Sequence, residues 1–226
     1  VTARICVSIL PKNNLEALTL IKQAETANAD FIEVRLDCLE TSRNLKELTN
    51  STKTPLIATN KLTDEHGFFS GTETERQQTL LEAAKKGFQY VDVDLSSSLH
   101  QETLIKLKEE GVKTIVSFHK FDGSLNDAEM EEVLQRQLAL DADVCKIVTT
   151  ASTVEDNLAI LQFIAKHKKQ AQLVCFCMGE NGKLSRLFSP LFGAFFTFAA
   201  LDTGSETAKG QMSIGEMKAS YGMLGV

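Results

Sequence analysis

Short runs of β-branched and aliphatic residues alternate along this chain with longer stretches that repeat an apolar residue every three or four positions. The runs cover residues 5–9, 31–36, 56–59, 90–95, 114–118, 144–148, 173–176 and 195–199. They recur roughly every 22–35 residues, the repeat of a strand followed by a helix. Between them, residues 14–27 carry Leu15, Leu18, Ile21 and Ala24, and residues 74–86 carry Leu80, Leu81 and Ala84. Residues 99–110 carry Leu104 and Leu107 and stop at Gly111; residues 127–140 carry Met130, Val133, Leu134 and Leu138. Residues 153–166 carry Leu158, Leu161 and Ile164, with the Thr153 hydroxyl expected to cap the helix. Each stripe has helical period and one apolar face.

Strands alternating with helices of this length predict a parallel sheet. Repeated across 226 residues, the pattern predicts an α/β chain with the (β/α)8 TIM-barrel fold. No Pro/Ser/Gly-rich linker and no break in composition divides residues 1–226, so they read as a single catalytic domain. A doubly wound open sheet is the alternative. Its nucleotide-binding forms need a Gly-x-Gly-x-x-Gly turn after the first strand. Here that turn reads Leu10-Pro11-Lys12-Asn13, and no Walker-type phosphate loop occurs anywhere.

Composition narrows the function further. Hydrophobic residues make up 43% and charged residues 24%, the balance of a globular protein. A formal charge of -6 argues against a nucleic-acid or anionic-membrane surface, but leaves room for a locally basic pocket. The longest apolar stretch, residues 190–201, contains Gly193 and Thr197 and is too short to span a bilayer. Residues 1–10 lack the basic lead and cleavage site of a signal peptide. Together with five cysteines, an odd number, this predicts reduced thiols in a cytoplasmic protein. Cys175 and Cys177 share one face of a strand, but the four histidines do not gather around them, so no metal is expected.

In a barrel of this kind, chemistry sits where strands end. The polar residues that interrupt apolar runs there are Ser8, Glu33, Arg35, Thr59, Lys61, Asp92, Asp94, His119 and Lys146, with Arg186 after the seventh run. Lys146 is the sharpest anomaly, set between Val144-Cys145 and Ile147-Val148. An apolar cavity disfavours a lysine's charged form and frees a neutral amine to attack a ketone. The alternative is a lysine paired with a carboxylate such as Glu33 or Asp94. His119 ends the fifth run and is of the type that moves protons near neutral pH; the alternative is a structural histidine. Glu33 and Arg35 share a strand face and either pair with each other or bind a polar ligand. Residues 179–186 read as a flexible loop ending in Arg186, whose fork suits a carboxylate. The small polar segment 202–211, with Lys209-Gly210-Gln211 at its end, reads as a mobile lid. A buried amine, a histidine, several hydrogen-bonding groups and an arginine describe Schiff-base chemistry on a hydroxylated keto acid.

Four segments then agree, in order and spacing, with one family. Glu33-Val34-Arg35-Leu36-Asp37 resembles its E-x-R-x-D strand, and Ser117-Phe118-His119 its S-x-H strand end. Ala142-Asp143-Val144-Cys145-Lys146-Ile147 resembles its lysine strand. Met178-Gly179, Gly182, Ser185 and Arg186 resemble its M-G-x-x-G-x-x-S-R segment. The chain thus resembles the type I 3-dehydroquinate dehydratases across residues 5–217.

The resemblance implies a lyase that converts 3-dehydroquinate to 3-dehydroshikimate in the shikimate pathway of aromatic amino-acid biosynthesis, with no cofactor and as a homodimer. It implies that Lys146 forms the imine, His119 carries protons and Glu65 orients the histidine. Ser8, Glu33 and Arg35 would surround the ring hydroxyls, Lys61 would bind substrate at the place of a family arginine, and Arg186 and Gln211 would grip the carboxylate. Three positions depart from the family pattern. Lys61 replaces an arginine and keeps the charge without the fork. His66 stands where a glycine is usual, and Thr207-Ala208-Lys209-Gly210-Gln211 replaces a lid that contains proline. Either Thr207 or Ser205 then supplies the lid hydroxyl to substrate. Two other functions are open: a Schiff-base aldolase, which would want a glycine-rich phosphate cradle near the last strands, and a binding barrel that has lost catalysis.

Overall fold

The chain is described here by a computed structural model, which covers residues 3–40 and 44–226. The apolar runs form strands β1 Ile5–Ile9, β2 Phe31–Arg35, β3 Leu56–Thr59, β4 Tyr90–Asp94, β5 Lys113–His119, β6 Val144–Thr150, β7 Leu173–Met178 and β8 Thr197–Ala199. They make one 8-stranded sheet in the order β7-β6-β5-β4-β3-β2-β1-β8. Parallel strands that alternate with helices make this the (β/α)8 TIM-barrel fold. The helices are α1 Asn14–Thr26, α2 Leu45–Asn50, α3 Glu73–Lys85, α4 His100–Glu109, α5 Asp127–Ala139, α6 Asp156–His167, α7 Lys183–Phe192 and α8 Ile214–Leu224.

Local chemistry sets several of these boundaries. Asn13 caps α1, and reciprocal capping boxes start α3 (Thr72 with Glu75), α5 (Asn126 with Glu129) and α8 (Ser213 with Glu216). Thr153 does not cap α6. The helix begins three residues later, and the Asp156 carboxylate accepts the backbone N–H groups of Ser152 and Thr153. Residues 179–186 are not a loop throughout: a 3-10 turn, Glu180–Gly182, leads into α7, so Arg186 is a helical residue. Glycine at 182 and Pro190 inside the helix hide that pattern from periodicity. Strand β8 starts at Thr197 rather than at 195.

The chain groups into two compact units, Val7–Thr114, and Val1–Cys6 with Ile115–Val226. In the first, β2, β3 and β4 pair in register, with Arg35 beside Thr59 and Thr59 beside Asp92. Its core includes the fully buried Ile21, Ile32, Leu45, Leu48, Leu56, Ile57 and Leu107. In the second, β5 pairs with β6 and β6 with β7, placing Ser117 beside Lys146 and Lys146 beside Val174. Phe163 and Phe196 are buried there, and the Tyr221 hydroxyl of α8 donates to the Leu187 carbonyl of α7 at 2.7 Å.

Candidate active site

In the unit Val7–Thr114, the polar strand-end residues are held by one another. Glu33 receives hydrogen bonds on both oxygens, from the Ser8 hydroxyl on Oε2 and from the Thr59 hydroxyl on Oε1 at 2.9 Å. Arg35, two residues on, spends its fork on Asp37 in the turn after β2, with Nε–Oδ1 at 2.9 Å and Nη2–Oδ2 at 2.6 Å. Burial alone would lower the Arg35 pKa, but Asp37 outweighs it and the guanidinium is held more firmly protonated than usual. Lys61 is buried and reaches Asp92 at 3.1 Å and Asp94 at 3.0 Å. Burial again works against its charge, and the two carboxylates reverse that and raise its pKa.

Glu65 lies in a turn held by Arg76, whose Nη1 donates to Oε2 at 2.8 Å, while the Ser96 hydroxyl lies 2.9 Å from Oε1. His66 follows it in left-handed backbone with φ 58 and is exposed. Gly67 closes the turn; a Cβ there would stand 2.1 Å from the Lys61 carbonyl oxygen, so only glycine fits.

In the unit that carries Ile115–Val226, basic side chains lie against aromatic rings. Lys146 is 5% exposed and its Nζ stands 4.5 Å from the centroid of the Phe198 ring on β8. The Gln137 amide of α5 donates to the carbonyls of Val116 and Lys146, at 2.9 Å each, and ties β5 to β6 at that point. His119 is the last residue of β5 and stacks on Phe121, with ring centroids 5.8 Å apart and 9° between planes.

Arg186 is 1% exposed and lies over Phe176 of β7 at 4.2 Å. Its Nη1 reaches the Phe198 carbonyl at 3.5 Å, while Nε and Nη2 have no hydrogen-bond partner among the described residues. Burial lowers its pKa to about 10. A buried guanidinium with open donors is costly, and a planar anion relieves the cost with two parallel hydrogen bonds. Its helix is anchored nearby: Ser185 Oγ accepts the Cys177 N–H at 2.8 Å and Thr197 Oγ1 donates to the Arg186 carbonyl at 2.7 Å.

The segment after β8 is docked. Gly179 N–H donates to the Lys209 carbonyl at 3.1 Å, and a Cβ on Gly210 would stand 2.0 Å from the Gly179 oxygen. Gln211 is buried, and its Oε1 accepts both the Thr207 N–H at 2.7 Å and the Thr207 hydroxyl at 3.1 Å. Ser205 instead bonds the backbone of Asp202.

Sequence reasoning named the charged groups of both units but not what holds them. Phe176, Phe198 and Gln137 carry no signal in the sequence that would single them out. No group of three His, Cys, Asp or Glu side chains suited to a metal occurs among the described residues.

The chain can now be set beside known proteins. Residues 5–226 match the family of type I 3-dehydroquinases. The chain belongs to that family. It is 35% identical over 208 residues to the 3-dehydroquinate dehydratase of Dehalococcoides mccartyi, covering 90% of this chain and 92% of that one. It is 33% identical to the enzyme of Desulfotalea psychrophila over 221 residues, 96% of each chain. Its fold superposes with a TM-score of 0.88 on the type I 3-dehydroquinate dehydratase of Clostridium difficile, solved with covalently modified comenic acid. The two are 27% identical, and the match covers 98% of this chain and 92% of that one. Membership makes the chain a hydro-lyase of the Schiff-base class.

Proposed function

We propose that Lys146 is the amine of a 3-dehydroquinate dehydratase and that the charged groups described above divide the work on one substrate. Lys146 itself carries the reading: a mid-strand amine, buried beside an aromatic face, in a chain of a Schiff-base family. The amine attacks the C3 ketone and water leaves as the imine forms. The iminium acidifies C2, because the electron pair left there is held as an enamine. His119 takes the C2 proton and returns it to the departing C1 hydroxyl, which leaves as water, and hydrolysis frees 3-dehydroshikimate and the amine. His119 moves the proton to and from these oxygens. Glu65, fixed by Arg76, orients the histidine.

Arg186 and Gln211 take the substrate carboxylate; the open donors Nε and Nη2 of a buried guanidinium support that role. Ser8, Glu33, Arg35 and Lys61 surround the ring hydroxyls. In this division Lys61 acts as an ammonium held in place by Asp92 and Asp94, which supports a fixed point charge where the family uses a fork. A homodimer in the cytoplasm of a cell making aromatic amino acids belongs to the same proposal; sedimentation of the purified protein reads the dimer.

The test is turnover of 3-dehydroquinate, followed by the absorbance of dehydroshikimate. Lys146→Ala is expected to lower kcat on the order of 10^4-fold or more while the circular dichroism stays native. His119→Ala is expected to lower turnover by about 10^2 to 10^4 and still form the imine slowly. Near-normal turnover by Lys146→Ala, or retro-aldol cleavage of a sugar phosphate in place of dehydration, contradicts the proposal.

A further inference from the structure

The lid residue Thr207 makes two hydrogen bonds to one atom of Gln211, and their chemistry decides which way that amide faces. A side-chain amide has an accepting end and a donating end of nearly the same shape. A backbone N–H can only donate, so the atom that receives the Thr207 N–H at 2.7 Å is the amide oxygen. The Thr207 hydroxyl adds a second donor to the same Oε1 at 3.1 Å. The edge of Gln211 that remains is its NH2 group. A carboxylate is an acceptor only, so this is the edge it needs; a flipped amide would set oxygen against oxygen. The neighbouring hydroxyl of Ser205 is already engaged by Asp202.

We propose that Thr207 is a positioning residue: it holds Gln211 Oε1 so that the amide presents only N–H donors to the substrate carboxylate. The inference rests on the carboxylate role given to Gln211 above, and it reassigns Thr207 from touching substrate to acting through its neighbour. The order of the amide is set before substrate arrives, so the bound state does not bear that cost. The Thr207 N–H survives any substitution of the side chain, which makes the hydroxyl the testable half. An orienting contact of this kind acts alike on bound substrate and transition state, so its loss falls on KM rather than on kcat.

The experiment is a double-mutant cycle on the full chain with Thr207→Val, Gln211→Ala and the pair. Thr207→Val alone is expected to raise KM for 3-dehydroquinate about three- to tenfold, with kcat within about twofold. In the Gln211→Ala background the same change is expected to have no further effect, and Thr207→Ser is expected to restore the native KM. An equal rise in both backgrounds would mean that Thr207 touches substrate itself, and no rise in the native background would mean that it does nothing; either overturns the inference. Titration of the same proteins with quinate by calorimetry reads the coupling without catalysis. A protein that turns over no 3-dehydroquinate would therefore sink the dehydratase reading while the quinate cycle still judged Thr207.

Discussion

The two compact units set different groups against their buried basic side chains. In Val7–Thr114, the lysine and arginines are matched by carboxylates: Lys61 by Asp92 and Asp94, Arg35 by Asp37, and Arg76 by Glu65 and Glu73. In the unit that carries Ile115–Val226, Arg186 lies on Phe176 with two donors open, and Lys146 lies on Phe198. A guanidinium on a ring face is attracted far less strongly than one in a carboxylate pair, and Nε and Nη2 of Arg186 stay available to a ligand. The first unit supplies fixed polar groups that fold stability already demands. The second leaves two donors of a buried guanidinium open, at a cost to stability.

The contrast breaks most visibly at Lys61. Lys61→Met leaves Asp92 and Asp94 buried side by side without their cation, and the unfolding free energy should fall by about 3–5 kcal/mol. Arg186→Met should do the reverse. Removing an unpaired buried charge while keeping a flexible side chain over Phe176 should raise the urea midpoint, by about 1 kcal/mol in unfolding free energy, and raise KM by an order of magnitude or more. A stabilised Lys61→Met, or a destabilised Arg186→Met, would erase the distinction.

The Arg186 pKa, lowered to about 10, adds a pH window. Its folded value lies below the unfolded one, so between them the unfolded chain binds more protons and stability should rise with pH from about 10 upward. Carboxylate affinity should fall over the same window, because the free guanidinium loses the proton it needs. Calorimetric titration of the Lys146→Ala protein with 3-dehydroshikimate between about pH 8 and 11 checks the sign. A flat affinity would mean that the guanidinium keeps its proton across this window or does not meet the carboxylate.

The smallest effect concerns the thiols. Burial pushes Cys145 up to about 12; burial and the nearby Asp37 charge push Cys38 up to about 11. Alkylation at neutral pH should be slow in the native protein and fast in urea, with the half-buried Cys38 reacting before Cys145.

Much of this was legible in the chain itself. The strand–helix rhythm needs only period and length, and Lys146 stands out because a lysine among aliphatic residues contradicts the pattern of its own strand. Partners across strands were harder to see. That Lys61 meets Asp92 and Asp94 depends on where β3 and β4 sit against each other, which the sequence records only as isolated polar residues. Phe176 and Phe198 look like any aromatic core position, although the Arg186 guanidinium lies over one and Lys146 Nζ over the other. Arg186 reads from the sequence as the end of a loop, since Gly182 and Pro190 disguise the helix that buries it. At the lid, the sequence offers Ser205 and Thr207 alike as hydroxyls for substrate and does not record that Asp202 engages the one and Gln211 the other.

The central claim is that Lys146, and not the carboxylate-held Lys61, is the covalent amine. Incubation of the native protein with 3-dehydroquinate and borohydride, followed by mass mapping of its peptides, reads this directly. The expected result is one reduced substrate adduct on the β6 peptide that contains Lys146, absent from Lys146→Ala. An adduct on Lys61 or another lysine, or no adduct while dehydroshikimate still forms, would contradict it.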